Sequence, residues 1–95
     1  MDLTEKIAIV TGAGKGLGTA ISTALVAKRA IVYGLGRNGE KLNALKSKLG
    51  KKFVPITMDV GDQKAVASWV QATFSDSYMP DILINNAGAG YFGKI

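Results

Sequence analysis

A dense group of glycines near the N-terminus is the first feature of this sequence that could do chemistry. Four glycines fall within seven residues, at positions 12, 14, 16 and 18, between a β-branched run and a helical pattern. Glycines let the backbone turn tightly and approach a ligand closely, and the start of the following helix offers free N–H groups to an anion. The residue types and their position therefore predict a phosphate-binding turn.

The glycine spacing excludes two common phosphate-binding motifs. A Walker A loop reads G-x-x-x-x-G-K-[ST]. Aligning Gly14 and Lys15 with its G-K places Ile9 at the first glycine and Gly16 where Ser or Thr must hold magnesium. The G-x-G-x-x-G dinucleotide fingerprint also fails, because neither Gly12 nor Gly14 begins a run with its third glycine in register. What remains is the pattern T-G-x-x-x-G-x-G.

The composition excludes several other kinds of chemistry and partner. The chain has no His and no Cys, which excludes a Ser-His-Asp triad, a Cys nucleophile, a disulfide and a structural zinc site within this sequence. The formal net charge is +5, but the lysines are spread over several segments, so we expect no nucleic-acid partner. Neither a membrane-spanning run nor a signal peptide is evident, which favours a cytoplasmic location and no membrane partner.

Four short apolar runs alternate with three helical patterns. The runs predict strands at Lys6–Thr11, Ala30–Leu35, Phe53–Met58 and Ile82–Ile84. This alternation predicts an α/β fold with a Rossmann-type parallel sheet in the order 3-2-1-4 and helices on both faces. Pro55 supports that order, because the order 3-2-1-4 places the third strand at the edge of the sheet, where a proline is tolerated.

The three helices are predicted from apolar periodicity and capping residues. The first helix has its predicted apolar face at Leu17, Ala20, Ile21, Ala24 and Leu25. Asn38 and Asp62 are predicted to cap the second and third helices.

Two motifs together resemble the short-chain dehydrogenase/reductase family. They are T-G-A-G-K-G-L-G at residues 11–18 and N-N-A-G at residues 85–88, after the fourth strand. Asp59 and Val60 after the third strand, and D-I-L-I leading into N-N-A-G, are also as in that family. The resemblance covers the whole chain. The alternative is a different α/β domain that happens to carry a glycine-rich turn.

The resemblance implies hydride transfer between a nicotinamide cofactor and a small carbonyl or alcohol substrate. It implies that Gly12, Gly16 and Gly18 form the turn that binds the pyrophosphate, and that Lys15 and Leu17 line this turn. Gly14 is also implied to belong to the cofactor site. Asp59 is implied to accept a hydrogen bond from the adenine amino group, with Val60 packed beside the ring. The backbone of Asn86, Ala87 and Gly88 is implied to run along the cofactor ribose. Asn85 and Asn86 have an alternative role in tying neighbouring strands together.

Charge at the end of the second strand favours NADP(H) over NAD(H). An NAD enzyme places an Asp or Glu there to bond the ribose 2′-hydroxyl. Here Gly36 stands at that position, Arg37 follows it, and Lys15 is predicted to face the same pocket. Two cations without a carboxylate favour a 2′-phosphate through charge-assisted hydrogen bonds.

The residues that the resemblance implies for catalysis are missing. The family uses a Ser and a Y-x-x-x-K motif, but four residues after Tyr33, Tyr78 and Tyr91 stand Arg, Ile and Ile. We therefore expect residues 1–95 to be the cofactor-binding N-terminal portion of a larger doubly wound domain, inactive alone and homo-oligomeric at full length. The alternative is a complete but catalytically silent nucleotide-binding module, or one that pairs through the edge of its fourth strand.

One position departs from the family. A glycine usually follows the first helix, and this sequence has Arg29 there. If the position requires a left-handed conformation, the arginine costs on the order of 1 kcal/mol.

Overall fold

The computed structural model describes residues 1–86, in which three helices connect four parallel strands. The elements are β1 (Ile7–Thr11), α1 (Gly16–Ala27), β2 (Ile31–Gly36), α2 (Gly39–Leu49), β3 (Phe53–Thr57), α3 (Gln63–Thr73) and β4 (Ile82–Asn85). The strand order is β3-β2-β1-β4, and all three strand pairs are parallel. The predicted fold class and strand order are confirmed.

One face of the sheet packs against α1 and α2. Alternate strand residues point to this face, and Val10, Val32 and Phe53 are fully buried there, together with Leu42 of α2. Gly34 makes room for the Phe53 ring, since a Cβ at that position would overlap it. Leu42 and Leu45 are the buried residues of α2.

The opposite face packs against α3. The Tyr33 ring of β2 lies 5.6 Å from the Trp69 ring of α3, centroid to centroid. Helices therefore cover both faces of the sheet, as predicted. No helix within residues 1–86 is long and apolar enough to cross a membrane.

The predicted apolar face of α1 is wrong in part. Ile21 and Leu25 pack against the core, but the fully buried positions of α1 are Gly18 and Ser22. Leu17 is 64% exposed, and Ala20 and Ala24 are exposed as well. The reason is that small residues let this helix approach the sheet closely, so the buried face is centred on glycine and serine rather than on the apolar residues.

Two backbone expectations are confirmed. Pro55 lies in β3 at the edge of the sheet, opposite Gly34. Arg29 has φ 78°, the left-handed conformation expected where the family has glycine. The Arg29 N–H donates to the Val26 carbonyl at 2.8 Å and the Ala30 N–H to the Leu25 carbonyl at 3.1 Å, which is the Schellman pattern at the end of α1.

Candidate functional site

The carboxyl ends of the four strands open into one cleft of about 1520 Å³. This is the edge at which open α/β sheets bind ligands, because the strand order reverses there. Seven of the predicted cofactor residues line the cleft: Gly12, Gly14, Lys15, Arg37, Asp59, Val60 and Asn86. They come from four separate loops, so the topology of the sheet brings them together.

The glycine turn has a geometry that only glycine accommodates easily. Gly12 and Gly16 have φ values of 66° and 35°, in the left-handed region. Gly18 is buried beneath the turn, where a Cβ would overlap the Gly12 carbonyl. Gly18 therefore lets α1 start directly under Gly12, which is a packing role and not a cleft contact.

The N-terminus of α1 is free to bind an anion. Its N-cap residue, Lys15, makes no side-chain capping hydrogen bond, and the first turn contains no acidic residue. By contrast, Asn38 caps α2 and Asp62 caps α3, as predicted, each accepting a hydrogen bond from a backbone N–H at 3.1 Å. Within residues 1–86, apart from Gly16, its two neighbours in the chain and the nearby backbone of α1, no atom lies within 4 Å of the point where a Cβ on Gly16 would sit. Open space and free N–H groups therefore fit a phosphate at this helix end.

Two cations and two carboxylates among residues 1–86 line the cleft. Lys15 and Arg37 are both exposed, and the one salt bridge among residues 1–86 joins Arg29 to Asp2 instead. Glu40, in the first turn of α2, lines the same cleft. Glu40 is not among the residues predicted from the sequence, because it lies in the first turn of α2 and not directly at the end of β2. Its position two residues after the capping Asn38 is the feature of the sequence that could have indicated it.

Asp59 is held by its own loop. Its Oδ1 accepts a hydrogen bond from the Gly61 N–H at 2.8 Å, and its carbonyl accepts one from the Asp62 N–H at 2.9 Å. The other carboxylate oxygen makes no hydrogen bond within residues 1–86, so it can accept one from a ligand in the cleft.

Thr11 joins the ends of β1 and β4. Its Oγ1 accepts a hydrogen bond from the Asn86 N–H at 2.8 Å and lies 3.1 Å from Asn85 Oδ1, to which it can donate. Asn86 Nδ2 donates to the Gly12 carbonyl at 3.4 Å. Asn85 and Asn86 therefore do tie neighbouring strands together. The Asn86 side chain also joins the end of β4 to the glycine turn. The sequence analysis did not single out Thr11 as the centre of this junction.

The remaining predicted residues lie elsewhere. Gly16, Leu17 and Gly18 belong to the turn and the start of α1 but are not among the residues that line the cleft. Ala87 and Gly88 lie outside the described residues. Contact of any of the twelve residues with a cofactor stays a prediction.

Comparisons with known proteins identify relatives of this chain. Residues 6–95 match the family described as short chain dehydrogenase. An uncharacterized oxidoreductase of Staphylococcus aureus is 39% identical over 94 residues, which are 98% of this chain and 41% of that protein. A probable NADP-dependent dehydrogenase of Dichelobacter nodosus is 37% identical over 82 residues, 86% of this chain and 77% of that protein.

A solved structure supports the same relationship. The closed form of a serine dehydrogenase complexed with NADP+ superposes with a TM-score of 0.72 at 31% identity, over 81% of this chain and 31% of that one. This chain thus spans about a third of that structure and less than half of the Staphylococcus aureus relative.

Proposed function

Since this chain belongs to the short-chain dehydrogenase family, we propose that it forms the NADP(H)-binding part of an oxidoreductase acting on small carbonyl or alcohol compounds. The observation that carries the proposal is the convergence of Lys15 and Arg37 with the glycine turn in one cleft. The Dichelobacter nodosus relative is named as NADP-dependent, and the serine dehydrogenase structure holds NADP+. Both names support the choice of cofactor.

The glycine turn and the residues that line the cleft can each be assigned to one part of that cofactor. The N-terminus of α1 faces open space at Gly16 and binds the pyrophosphate. Arg37 and Lys15 bind the 2′-phosphate, and the free carboxylate oxygen of Asp59 accepts the adenine amino group. When bound, the nicotinamide supplies the hydride-transfer chemistry of the proposed reaction.

The net charge near the 2′-phosphate site decides the cofactor preference. Four charged side chains among residues 1–86 line the cleft, and the carboxylate of Asp59 is assigned to the adenine. Lys15 and Arg37 then outnumber Glu40 at the 2′-phosphate. Glu40 stands in α2 rather than at the end of β2, where an acid would bond the ribose 2′-hydroxyl. A dianionic phosphate is therefore attracted more strongly than a neutral hydroxyl.

Charge reversal at Arg37 tests the proposal. Affinities of the chain for NADP and NAD are measured by calorimetry. In Arg37→Asp we expect NADP affinity to fall about 10- to 100-fold, as the loss of a charge-assisted hydrogen bond requires, while NAD affinity does not fall.

Two further variants serve as controls. Glu40→Gln removes the opposing carboxylate and should strengthen NADP binding. Lys52→Asp reverses an exposed charge just before β3, at the opposite end of the strands from the cleft, and should change neither affinity. Equal NADP affinity in Arg37→Asp and the unmodified chain contradicts the assignment.

The chemical step requires groups that this sequence does not contain. No Y-x-x-x-K motif occurs among the 95 residues, so we propose that the chain binds NADPH without oxidising it. Reduction of a carbonyl compound by a verified 95-residue chain contradicts this statement. A cytoplasmic location and homo-oligomers of the whole protein belong to the same proposal, with neither nucleic acid nor membrane as a partner.

The exposed edge of β4 favours a second candidate function, a nucleotide-binding module that pairs through this strand. Among residues 1–86, β1 is the one strand that pairs with β4, and Leu83 in it is 67% exposed. The intact mass of the native protein distinguishes the two candidates: a mass well above 9.9 kDa supports the oxidoreductase, and a mass of 9.9 kDa supports the module.

A further inference from the structure

Four aromatic residues form a connected cluster between the sheet and α3. The Tyr33 ring lies 5.4 Å from the Phe74 ring and 5.6 Å from the Trp69 ring, both edge to face. The Trp69 and Phe74 centroids are 5.5 Å apart, and the Tyr78 ring stacks on Phe74 at 5.7 Å. The hydroxyl groups of Tyr33 and Tyr78 are hydrogen-bonded at 2.7 Å. We refer to these four residues as the aromatic clasp.

The clasp connects α3 and the turn that follows it to Tyr33 of β2. None of the residues of α3 is fully buried, and its apolar residues, Val66, Trp69 and Val70, are only half-buried. Two backbone hydrogen bonds close the turn from Ser75 to Tyr78, at 3.0 and 3.1 Å, and this turn presents Tyr78 to Tyr33. The clasp thus holds the C-terminal end of α3 against the sheet.

The same helix forms one wall of the cleft. Val66, Trp69 and Val70 line it together with Asp59 and Val60. The Asp62 N–H donates to the Asp59 carbonyl at 2.9 Å, and Asp62 also caps α3. Through these bonds, a shift of α3 moves the Asp59 loop with it.

We propose that Tyr33 and Tyr78 are positioning residues for the adenine side of the cleft, acting through α3 on Asp59 and Val60. The hydroxyl pair fixes the C-terminal end of α3, and the capped N-terminal end then holds the Asp59 loop at a fixed distance from the glycine turn. This inference rests on the proposed function, since the ligand of that side of the cleft is the adenosine part of NADP(H).

Phenylalanine substitutions test the inference because they remove the hydroxyl pair and keep the rings. In the full chain, Tyr33→Phe and Tyr78→Phe should each raise the dissociation constant of 2′,5′-ADP about two- to fivefold, with no change in the folded fraction by circular dichroism. The double variant should be no weaker than either single variant, because one bond is lost in all three. The matched control is Ser47→Ala, which removes an exposed hydroxyl bonded at 3.2 Å to the Asn43 carbonyl in α2.

Trp69, the one tryptophan of the chain, supplies a second readout. Its emission should change when 2′,5′-ADP binds to the unmodified chain, and the change should be smaller in both tyrosine variants. The inference is overturned if both variants bind 2′,5′-ADP as the unmodified chain does, or if Ser47→Ala weakens binding equally. An unmodified chain that binds neither 2′,5′-ADP nor NADP contradicts the proposed function, and this inference falls with it.

Discussion

Individual glycines, cations and carboxylates have distinct roles in this cleft. Gly18 allows close packing of the helix, whereas Gly12 and Gly16 adopt the left-handed backbone of the turn. Lys15 and Arg37 supply positive charge that no carboxylate among residues 1–86 pairs with. Asp59 offers an oxygen that its own loop leaves free. The chemistry of the site therefore depends on which groups the fold leaves unsatisfied.

At the residue scale, Arg29→Gly should stabilise the chain. Arg29 is left-handed at φ 78°, which costs a non-glycine residue about 1 kcal/mol, while its ion pair with Asp2 is exposed and 3.6 Å long and contributes little. Urea unfolding should show a gain of about 1 kcal/mol. Arg29→Ala loses the ion pair but keeps the unfavourable φ, so a gain of the same size in that variant contradicts the explanation.

The elements differ in how they are held to the sheet. α2 buries leucines against β3 and closes one side of the core. α1 approaches through Gly18 and Ser22, and α3 is held by the aromatic clasp. The wall of the cleft that α3 forms is thus attached by few, large side chains.

At the level of the elements, alkaline pH should weaken the aromatic clasp, because ionisation of Tyr33 is unfavourable in the folded chain. Burial, followed by the hydrogen bond to Tyr78, raises the pKa of Tyr33 from 10.0 to about 12. Between these values the unfolded chain loses the Tyr33 proton and the folded chain keeps it. The stabilisation is therefore complete below about pH 10 and is lost as the pH rises through about 12.

Absorbance at 295 nm and urea unfolding across this pH range measure the effect. One tyrosine should titrate about two pH units above its usual value, and Tyr33→Phe should remove that titration. Titration of all tyrosines together near pH 10 contradicts the prediction.

At the scale of the whole molecule, the sheet is asymmetric. β3 forms one edge and carries Pro55, which has no N–H to offer another strand. β4 forms the other edge among the described residues, and it carries an exposed leucine. Exposed apolar edge strands promote association.

The 95-residue chain should therefore associate through β4. Sedimentation at increasing concentration should show a rise in average mass, and Leu83→Lys should suppress it because a charge on this exposed strand opposes pairing. Leu17→Lys is the matched control, since Leu17 is 64% exposed on α1. Equal suppression by both variants indicates general hydrophobic association and contradicts a role for the β4 edge.

The fold class, the strand order, the caps of α2 and α3 and the glycine turn can all be predicted from the amino-acid sequence. These follow from local patterns: runs of β-branched residues, capping side chains, and glycines at positions where the backbone must turn. Pro55 is also interpretable from the sequence, because it has no backbone N–H. The left-handed conformation at Arg29 is an expectation from the family resemblance, because the family usually has a glycine there.

Contacts between residues that are distant in the sequence become visible in the folded chain alone. Glu40 joins Lys15 and Arg37 in the cleft, and Thr11 ties β4 to the turn. In α1 only a glycine and a serine are fully buried, whereas part of the predicted apolar stripe is exposed. The aromatic clasp includes a hydrogen bond between Tyr33 and Tyr78, which are 45 positions apart in the sequence. These contacts join residues distant in sequence, and they depend on side-chain size and helix approach, which periodicity does not encode.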